Sequence, residues 1–186
     1  GLFLDQRRNR ALVQESAKGL RVLNMFCYTG GFSLAAARGG AREVVSVDSN
    51  RTVLEWAQRN FELNGFQPGD FRFQRMDAAE YLDWARRKGL IFDFIVCDPP
   101  SFSRGDKSVF KIEKNLPALI RAMSAVLAPG GRLLVSSNYE GWTWPEFVEV
   151  LVGTAGGSGK SFKLLPTPPP DWDFELPRQP MIMKSS

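Results

Sequence analysis

Residues 21–32 read RVLNMFCYTGGF and hold the pattern that decides the fold. An apolar run of strand length at 21–26 leads into the adjacent pair Gly30 and Gly31, and a helical segment rich in small residues follows at 32–38. Glycine permits a tight turn and lets the backbone come close to a ligand, because it has no Cβ. The stretch therefore predicts a strand, a ligand-binding turn and a helix in succession.

The same alternation of apolar runs and helix-period segments continues along the chain. Further strands are predicted at 43–48, 71–77, 92–98, 132–137, 162–165 and 180–184, and further helices at 7–17, 51–64, 81–88, 111–127 and 144–152. This order is typical of a parallel sheet covered by helices on both faces. We therefore expect an α/β fold with a doubly wound, mostly parallel seven-stranded sheet, whose last strand lies at the sheet edge.

Size and composition limit the possibilities further. The 186 residues are 44% apolar, enough for one buried core, so residues 1–186 are expected to form a single domain. The net charge of +4 is compatible with a polyanionic partner, and with no histidine in the chain no metal site is predicted. Two cysteines in apolar surroundings and no membrane-length apolar run favour a reducing, cytoplasmic compartment. The start at Gly1 suggests a fragment of a longer protein.

Three of the predicted strands end in aspartate, at Asp48, Asp77 and Asp98. In open α/β sheets, ligands bind beyond the carboxyl ends of the strands. An aspartate about 20 residues after the glycine turn usually accepts hydrogen bonds from ribose hydroxyls, which fits Asp48, and Asp77 is placed to accept from an adenine amino group. Each aspartate alone is also typical of a helix N-cap. Together at one sheet edge, they predict a nucleoside-cofactor site.

Two other nucleotide-binding classes fit the sequence less well. A nicotinamide-binding domain requires a Gly-x-Gly-x-x-Gly turn, which residues 26–32 lack. Residues 154–161, TAGGSGKS, are close to a phosphate-binding loop but carry Thr154 where the first glycine is required. They also follow a predicted helix and precede a strand, which is the reverse of the order that such a loop needs.

Four motifs resemble the bacterial 23S ribosomal RNA large-subunit methyltransferases of the I and K types. They are GLFLDQR at 1–7 with Arg10 following, LNMFCYTGG at 23–31, SVD at 46–48 and DPPSFS at 98–103. The similarity covers nearly the whole chain, and the first and last motifs are the most specific to the family. The resemblance implies the Rossmann-like fold of class I methyltransferases, S-adenosyl-L-methionine as the cofactor and ribosomal RNA, 23S in particular, as the substrate.

The resemblance also implies where the cofactor binds. The opening segment is expected to lie against the cofactor, the glycine turn to hold its methionine part, and Asp48 and Asp77 to hold the ribose and the adenine. The cofactor-binding residues expected on this ground are Gln6, Arg10, Phe26, Tyr28, Thr29, Gly30, Asp48, Ser49, Asp77, Ala78 and Asp98.

The family divides by the atom that is methylated. Cytosine C5 becomes reactive only after a cysteine thiolate adds to the ring, and in the cytosine-modifying members that cysteine lies just after strand five. The corresponding residues here, 136–139, read SSNY, and the chain's two cysteines lie in the cofactor turn, Cys27, and in a predicted buried strand, Cys97. This disfavours cytosine C5 chemistry. The sequence around Asn138 is more similar to the K-type enzymes, which methylate guanine N7.

Guanine N7 carries a lone pair and no proton, so its methylation depends on alignment and charge placement more than on a general base. We expect Asp98, Pro99 and Pro100 to position the target base, and Asn138 to offer its amide to the edge of the base. A turn or cap role is the alternative for Asn138. Phe102 is expected to stack on the base, as aromatic side chains do with exposed RNA bases, with ordinary packing as its alternative.

Basic residues near the last motif are candidates for phosphate contacts. Arg104 and Lys107 flank the expected target pocket in a polar loop that contains a glycine, and the opening arginines Arg7 and Arg8 are further candidates. Two alternative functions stay open: methylation of a protein or small molecule, and a cofactor-binding module without activity. The second follows because in the family an RNA-recognition domain usually precedes the segment that here begins at residue 1. The sequence does not indicate an oligomeric state.

Overall fold

The computed structural model describes residues 2–104, 109–156, 161–166 and 181–185. The strands are β1 (Arg21–Met25), β2 (Glu43–Asp48), β3 (Arg72–Arg75), β4 (Phe92–Cys97), β5 (Phe102–Arg104), β6 (Val109–Lys111), β7 (Leu127–Val135), β8 (Phe162–Leu165) and β9 (Met181–Ser185). The helices are α1 (Arg7–Ser16), α2 (Gly31–Arg38), α3 (Arg51–Leu63), α4 (Ala78–Arg87), α5 (Ile112–Ala125) and α6 (Trp144–Gly156), with short 3-10 turns at Leu4–Gln6 and Pro68–Asp70.

Seven of the strands form one sheet in the order β3-β2-β1-β4-β7-β9-β8. The pairings β1–β2, β2–β3, β1–β4 and β4–β7 are parallel, whereas β9 runs antiparallel to both of its neighbours. The predicted doubly wound, mostly parallel seven-stranded sheet is confirmed. The expected edge position of the last strand is wrong, because β9 returns between β7 and β8 and hydrogen-bonds on both sides.

Helices cover both faces of this sheet. One buried cluster packs α1, α2 and α3 against one face and includes Val13, Ala36 and Phe61. The other packs α4, α5 and α6 against the opposite face and includes Leu82 and Ile120. The central strands β1, β2 and β4 are buried on both faces, which explains their nearly continuous apolar sequences.

The structure differs from the predicted elements in two places near the strand ends. Helix α4 begins at Ala78 rather than at residue 81, because the Oδ1 atom of Asp77 accepts hydrogen bonds from the backbone N–H groups of Ala79 and Glu80 and so caps the helix. The stretch after Pro100, predicted as a polar loop, contains the antiparallel pair β5–β6.

The topology places a ligand crevice between β1 and β4. From β1 the chain proceeds to β2 and β3 on one side, and from β4 to β7 on the other, so that the connections diverge at this point. The carboxyl ends of strands at such a switch point form the usual binding crevice of open α/β sheets. Among the described helices, none is long and apolar enough to cross a membrane.

Candidate active site

A cavity of about 430 Å³ lies beyond the carboxyl ends of β1, β2, β4 and β7. Residues from the opening segment, from the turn after β1 and from the ends of the other strands line it together. The predicted site residues among the lining residues are Gln6, Arg10, Phe26, Tyr28, Asp48, Ser49, Asp77, Ala78, Asp98, Pro99, Pro100 and Asn138. Residues that are far apart in the sequence therefore meet in one cavity, as predicted.

The turn after β1 has a strained backbone. Phe26 and Tyr28 have φ angles of 54° and 49°, and Gly30 has a φ of 80°. Non-glycine residues rarely adopt this left-handed region, and each costs of the order of 1–2 kcal/mol there. Such strain concentrates at ligand sites, so the turn itself indicates binding.

The two glycines of this turn are required for different reasons. A Cβ on Gly30 would lie 3.0 Å from the Ala57 side chain, so the close approach of α3 needs a glycine as well as the positive φ. A Cβ on Gly31 would lie 3.1 Å from Leu2 and 3.4 Å from the Arg10 side chain. Gly31 thus lets the opening segment fold down onto the turn.

Asp48 organises the entrance to the cavity through both of its carboxylate oxygens. Oδ2 accepts a hydrogen bond from the Tyr28 backbone N–H at 3.0 Å, and Oδ1 accepts one from the Asn50 N–H at 2.9 Å. Each oxygen of a carboxylate has a second lone pair that can accept a further bond. Asp48 can therefore hold the turn and still accept from two hydroxyl groups of a ligand.

The opening segment lies across the turn. The Phe3 and Tyr28 rings are 5.4 Å apart, and the Arg10 guanidinium donates to the Phe3 carbonyl at 2.6 Å. The Asn9 amide donates to the Gln6 side chain at 2.7 Å. Burial lowers the pKa of Arg10, and Asp5 opposes that shift.

Asp98 directly follows β4, a central strand of the sheet, and lines the cavity. Burial raises its pKa to about 6, against a lowering contribution from the Ser136 hydroxyl, which donates a short hydrogen bond to Oδ1. Asp5 raises this pKa further, and Arg10 lowers it. Asp98 is therefore a carboxylate that carries its charge at neutral pH but titrates just below it.

Asn138 lies at the cavity mouth beyond β7 and is held by a contact that the sequence did not indicate. The Ser101 hydroxyl donates to Asn138 Oδ1 at 2.6 Å. The next residue, Tyr139, donates its hydroxyl to Glu113 on α5 at 2.6 Å, and this contact raises the Tyr139 pKa. The loop after β7 is thus tied to the residues that follow β4.

In the hairpin β5–β6, Phe110 rather than Phe102 lines the cavity. Ser103 pairs with Phe110, and both line the cavity, whereas Phe102 pairs with Lys111 on the other face. Phe102 is 49% exposed and is not among the described residues that line the cavity. Phe102 therefore faces away from the cavity lining, because alternate residues of a strand face opposite sides, and its predicted stacking on the base stays a prediction. Phe110, whose ring is 5.4 Å from that of Phe26, lines the cavity instead.

Four predicted residues do not contribute described side chains to the cavity. Thr29 is buried and its carbonyl accepts a hydrogen bond from Asn60 at 2.8 Å, while Gly30 lies against α3. The Arg104 side chain and all of Lys107 lie outside the described part of the chain. Their predicted roles stay predictions.

Ser136 and Phe110 are among the lining residues that were not predicted from the sequence. Ser136 directly follows β7, and its N–H donates to the Cys97 carbonyl, so strand-end alignment placed it beside Asp98. The available signal for the hairpin was a stretch of four residues with a glycine, 105–108, between two short segments that contain Phe or Val.

Both cysteines are free thiols and buried. Burial raises the pKa of Cys27 and of Cys97 well above the ordinary thiol value. Cys27 touches the cavity, but its side chain is only 5% exposed. Neither thiol is therefore in the thiolate form that nucleophilic chemistry requires.

Known proteins are similar to this chain in sequence and in fold. The family described as S-adenosylmethionine-dependent methyltransferase matches residues 1–173. Ribosomal RNA large subunit methyltransferase K/L from Marinomonas sp. is 42% identical over 151 residues, covering 80% of this chain and 20% of the relative. Ribosomal RNA large subunit methyltransferase K from Neisseria meningitidis is 43% identical over 150 residues, covering 80% and 42%.

A solved structure of SMU.776, a proposed methyltransferase complexed with SAH, superposes with a TM-score of 0.91 at 32% identity, covering 98% of this chain and 50% of that one. The chain thus spans a fifth of the K/L relative and under half of the K relative.

Proposed function

This chain belongs to the S-adenosylmethionine-dependent methyltransferase family, and on that premise we propose that it methylates N7 of a guanine in 23S ribosomal RNA in the cytoplasm. The observation that carries the proposal is the end of β7, where residues 136–139 read SSNY and the Asn138 amide meets the cavity in place of a nucleophilic cysteine. The relatives named ribosomal RNA large subunit methyltransferase K support the substrate class.

The cavity residues fit the family's cofactor. Asp48 would accept the ribose hydroxyls, since each of its oxygens retains a lone pair beyond the bonds to Tyr28 and Asn50. Both cap bonds of Asp77 go to Oδ1, and Oδ2 has no partner among the described residues, so it would accept from the adenine amino group. When bound, S-adenosylmethionine supplies an electrophilic methyl group on a positively charged sulfur.

Asp98 would act on the charge of the base. Methylation at N7 leaves guanine with a positive charge, which a nearby carboxylate stabilises as it develops. The Asp98 carboxylate lines the cavity and is held on one oxygen by the buried Ser136 hydroxyl. Because its environment excludes much of the water, its charge acts more strongly than it would in solution.

Cytosine C5 methylation fits these residues less well. That reaction needs a thiolate, and burial raises the pKa of both thiols in the chain. Guanine N7 needs no proton removed, so a site without histidine and without a reactive cysteine can serve it. We propose that the side chains of Asp98 and Asn138 position the base.

The outer face of the β5–β6 hairpin would meet the RNA. Phe102 and Val109 are about half exposed there, and Lys111 lies on the same face as Phe102. An exposed ring stacks readily on an unpaired base, and lysines contact phosphates. Arg104 and Lys107 belong to the same hairpin and its loop, and we propose phosphate contacts for them as well.

The test is transfer of labelled methyl from S-adenosylmethionine to protein-free 23S ribosomal RNA, followed by nucleoside digestion and mass spectrometry. The proposal requires 7-methylguanosine with the unaltered chain and its loss with Asp98→Ala. Recovery of 5-methylcytidine would contradict the choice of atom. Transfer to protein or to small molecules in the absence of RNA would contradict the substrate class.

A further inference from the structure

Ser101 limits which hydrogen-bonding groups of the Asn138 amide can contact a base. Ser101 lies just after Pro100, is half-buried, and is not among the described residues that line the cavity, whereas Asn138 is. Its hydroxyl donates to Asn138 Oδ1 at 2.6 Å, across 37 residues of sequence. The carbonyl end of the amide is therefore held by Ser101, and the Nδ2 end, which has no partner among the described residues, can donate to a ligand.

Orientation matters because an asparagine amide has one accepting and one donating end. An unrestrained asparagine reads adenine, accepting from N6 and donating to N7 at the same time. The bond from Ser101 takes one of the two lone pairs of Oδ1, whereas both N–H donors of Nδ2 have no partner among the described residues, so the amide is biased toward donating. Guanine carries an acceptor, O6, beside N7, whereas adenine carries the donor N6 in that place.

We propose that Ser101 sets the base selectivity of this site by holding the Asn138 amide as a hydrogen-bond donor toward guanine O6. The inference rests on the proposed function, since it assumes that guanine N7 is the methylated atom. O6 and N7 lie side by side on the same edge of guanine. An Asn138 amide that donates to O6 therefore also turns N7 toward the site. Ser101 is thus a positioning residue that acts through Asn138.

Both ends of this hydrogen bond are anchored in the fold. The Ser101 carbonyl accepts from the Ile112 N–H at 3.1 Å, which ties it to the start of α5. On the other side, the Tyr139 N–H donates to Ser137 Oγ at 3.1 Å. A support of this kind keeps a recognition group in one orientation before the substrate arrives, so the selectivity does not require ordering of the loop.

The experiment uses the guanine that the unaltered chain methylates in protein-free 23S ribosomal RNA. An RNA fragment is prepared with guanine or 2-aminopurine at that position, because 2-aminopurine retains N7 and lacks O6. Transfer of labelled methyl is measured as kcat/KM for both RNAs with the unaltered chain, Ser101→Ala and Ser101→Thr. We expect Ser101→Ala to lower the preference for guanine about fivefold to tenfold, which is the effect of one hydrogen bond.

Ser101→Thr is the matched control, since it keeps the hydroxyl and should retain the preference. S-adenosylhomocysteine affinity, measured by calorimetry, should be the same for all three proteins. An equal loss of kcat/KM on both RNAs in Ser101→Ala would reduce Ser101 to a structural role and overturn the inference, as would an unchanged preference. Failure of the unaltered chain to produce 7-methylguanosine would overturn the proposed function first, and this inference with it.

Discussion

The two halves of the cavity are built by different kinds of contact. At the ends of β2 and β3, carboxylates bind backbone N–H groups two or three residues ahead, as Asp48 does with Asn50 and Asp77 with Ala79, and Asp48 also binds the Tyr28 N–H across 20 residues. At the ends of β4 and β7, side chains bind other side chains across 38 and 37 residues, in the pairs Asp98–Ser136 and Ser101–Asn138.

The proposed cofactor half is thus specified mostly by local caps, whereas the proposed substrate half exists only once the sheet has formed. A local cap motif persists when distant residues change. A side-chain pair across the sheet depends on the register of both strands, so its members can be exchanged without altering the cofactor half. We expect variants in the two halves to affect different measurable quantities.

The largest effect is expected from Asp98→Asn, in the substrate half. Loss of the carboxylate should lower the methyl-transfer rate by about 100-fold or more, because the positive charge developing on the base loses its counter-charge. The asparagine is isosteric, so S-adenosylhomocysteine affinity measured by calorimetry should change only a few-fold. A comparable loss of cofactor affinity would place Asp98 in the cofactor half instead.

Asp48→Ala should lower the affinity of the cofactor half for S-adenosylhomocysteine. The variant removes the acceptor for the Tyr28 and Asn50 N–H groups together with the expected ribose contacts, and we expect S-adenosylhomocysteine affinity to fall by about 10-fold to 100-fold. Asp70→Ala, an exposed carboxylate in the Pro68–Asp70 turn, is the matched control and should leave affinity unchanged. Equal S-adenosylhomocysteine affinities of Asp48→Ala and Asp70→Ala would refute the proposed ribose contact of Asp48.

The pH dependence should follow Asp98. Transfer by the unaltered chain should fall about tenfold per pH unit below a midpoint near 6, because its pKa of about 6 makes the protonated, uncharged form dominant there. The profile of Asp98→Asn should be flat over the same range. A midpoint that survives in Asp98→Asn would assign the titration to another group.

The contribution of Asp98 to the free energy of unfolding should fall as the pH rises, whereas the transfer activity should rise. The folded pKa of Asp98 lies above the ordinary aspartate value, so the folded chain binds the proton more tightly than the unfolded chain. The contribution to stability is therefore complete below about pH 4 and is lost as the pH rises through about 6. Asp98→Asn should consequently raise the free energy of unfolding at pH 8 by roughly 1–3 kcal/mol, measured by urea denaturation.

A smaller effect is expected at the glycine turn of the cofactor half. Gly30→Ala meets both a positive φ and the Ala57 side chain at 3.0 Å, whereas Gly65→Ala meets a positive φ of 81° in open space. We expect Gly30→Ala to cost about 1 kcal/mol more in the free energy of unfolding. Equal losses would mean that α3 can move away from the turn without cost.

The smallest effect should distinguish the faces of the β5–β6 hairpin. Phe110→Leu removes a ring that lines the cavity beside Phe26, and Phe102→Leu removes one on the outer face. At equal loss of aromatic area, we expect Phe110→Leu to lower kcat/KM for methyl transfer by about fivefold. Phe102→Leu should weaken RNA binding alone. The reverse result would mean that the hairpin pairs in the opposite register.

The sequence alone predicts those features that depend on residues close together in the chain. The alternation of apolar runs and helix-period segments predicted the doubly wound sheet, since strands buried on both faces must be apolar throughout. The Gly30–Gly31 turn, Asp48 and Asp77 were identifiable because turns and caps depend on residues a few positions away. The absence of a cysteine after β7 was likewise readable from residues 136–139.

The tertiary structure decided what depends on register and on long-range packing. It inserted β9 between β7 and β8, turned Phe102 outward and Phe110 inward, and brought Ser136 to Asp98 and Ser101 to Asn138. A one-residue change of register exchanges the faces of a strand, and neither a burial-shifted pKa nor a hydrogen bond across 37 residues leaves a periodic pattern in the sequence. The hydrogen-bond partners of Asp98 and Asn138 are for this reason defined only by the folded chain.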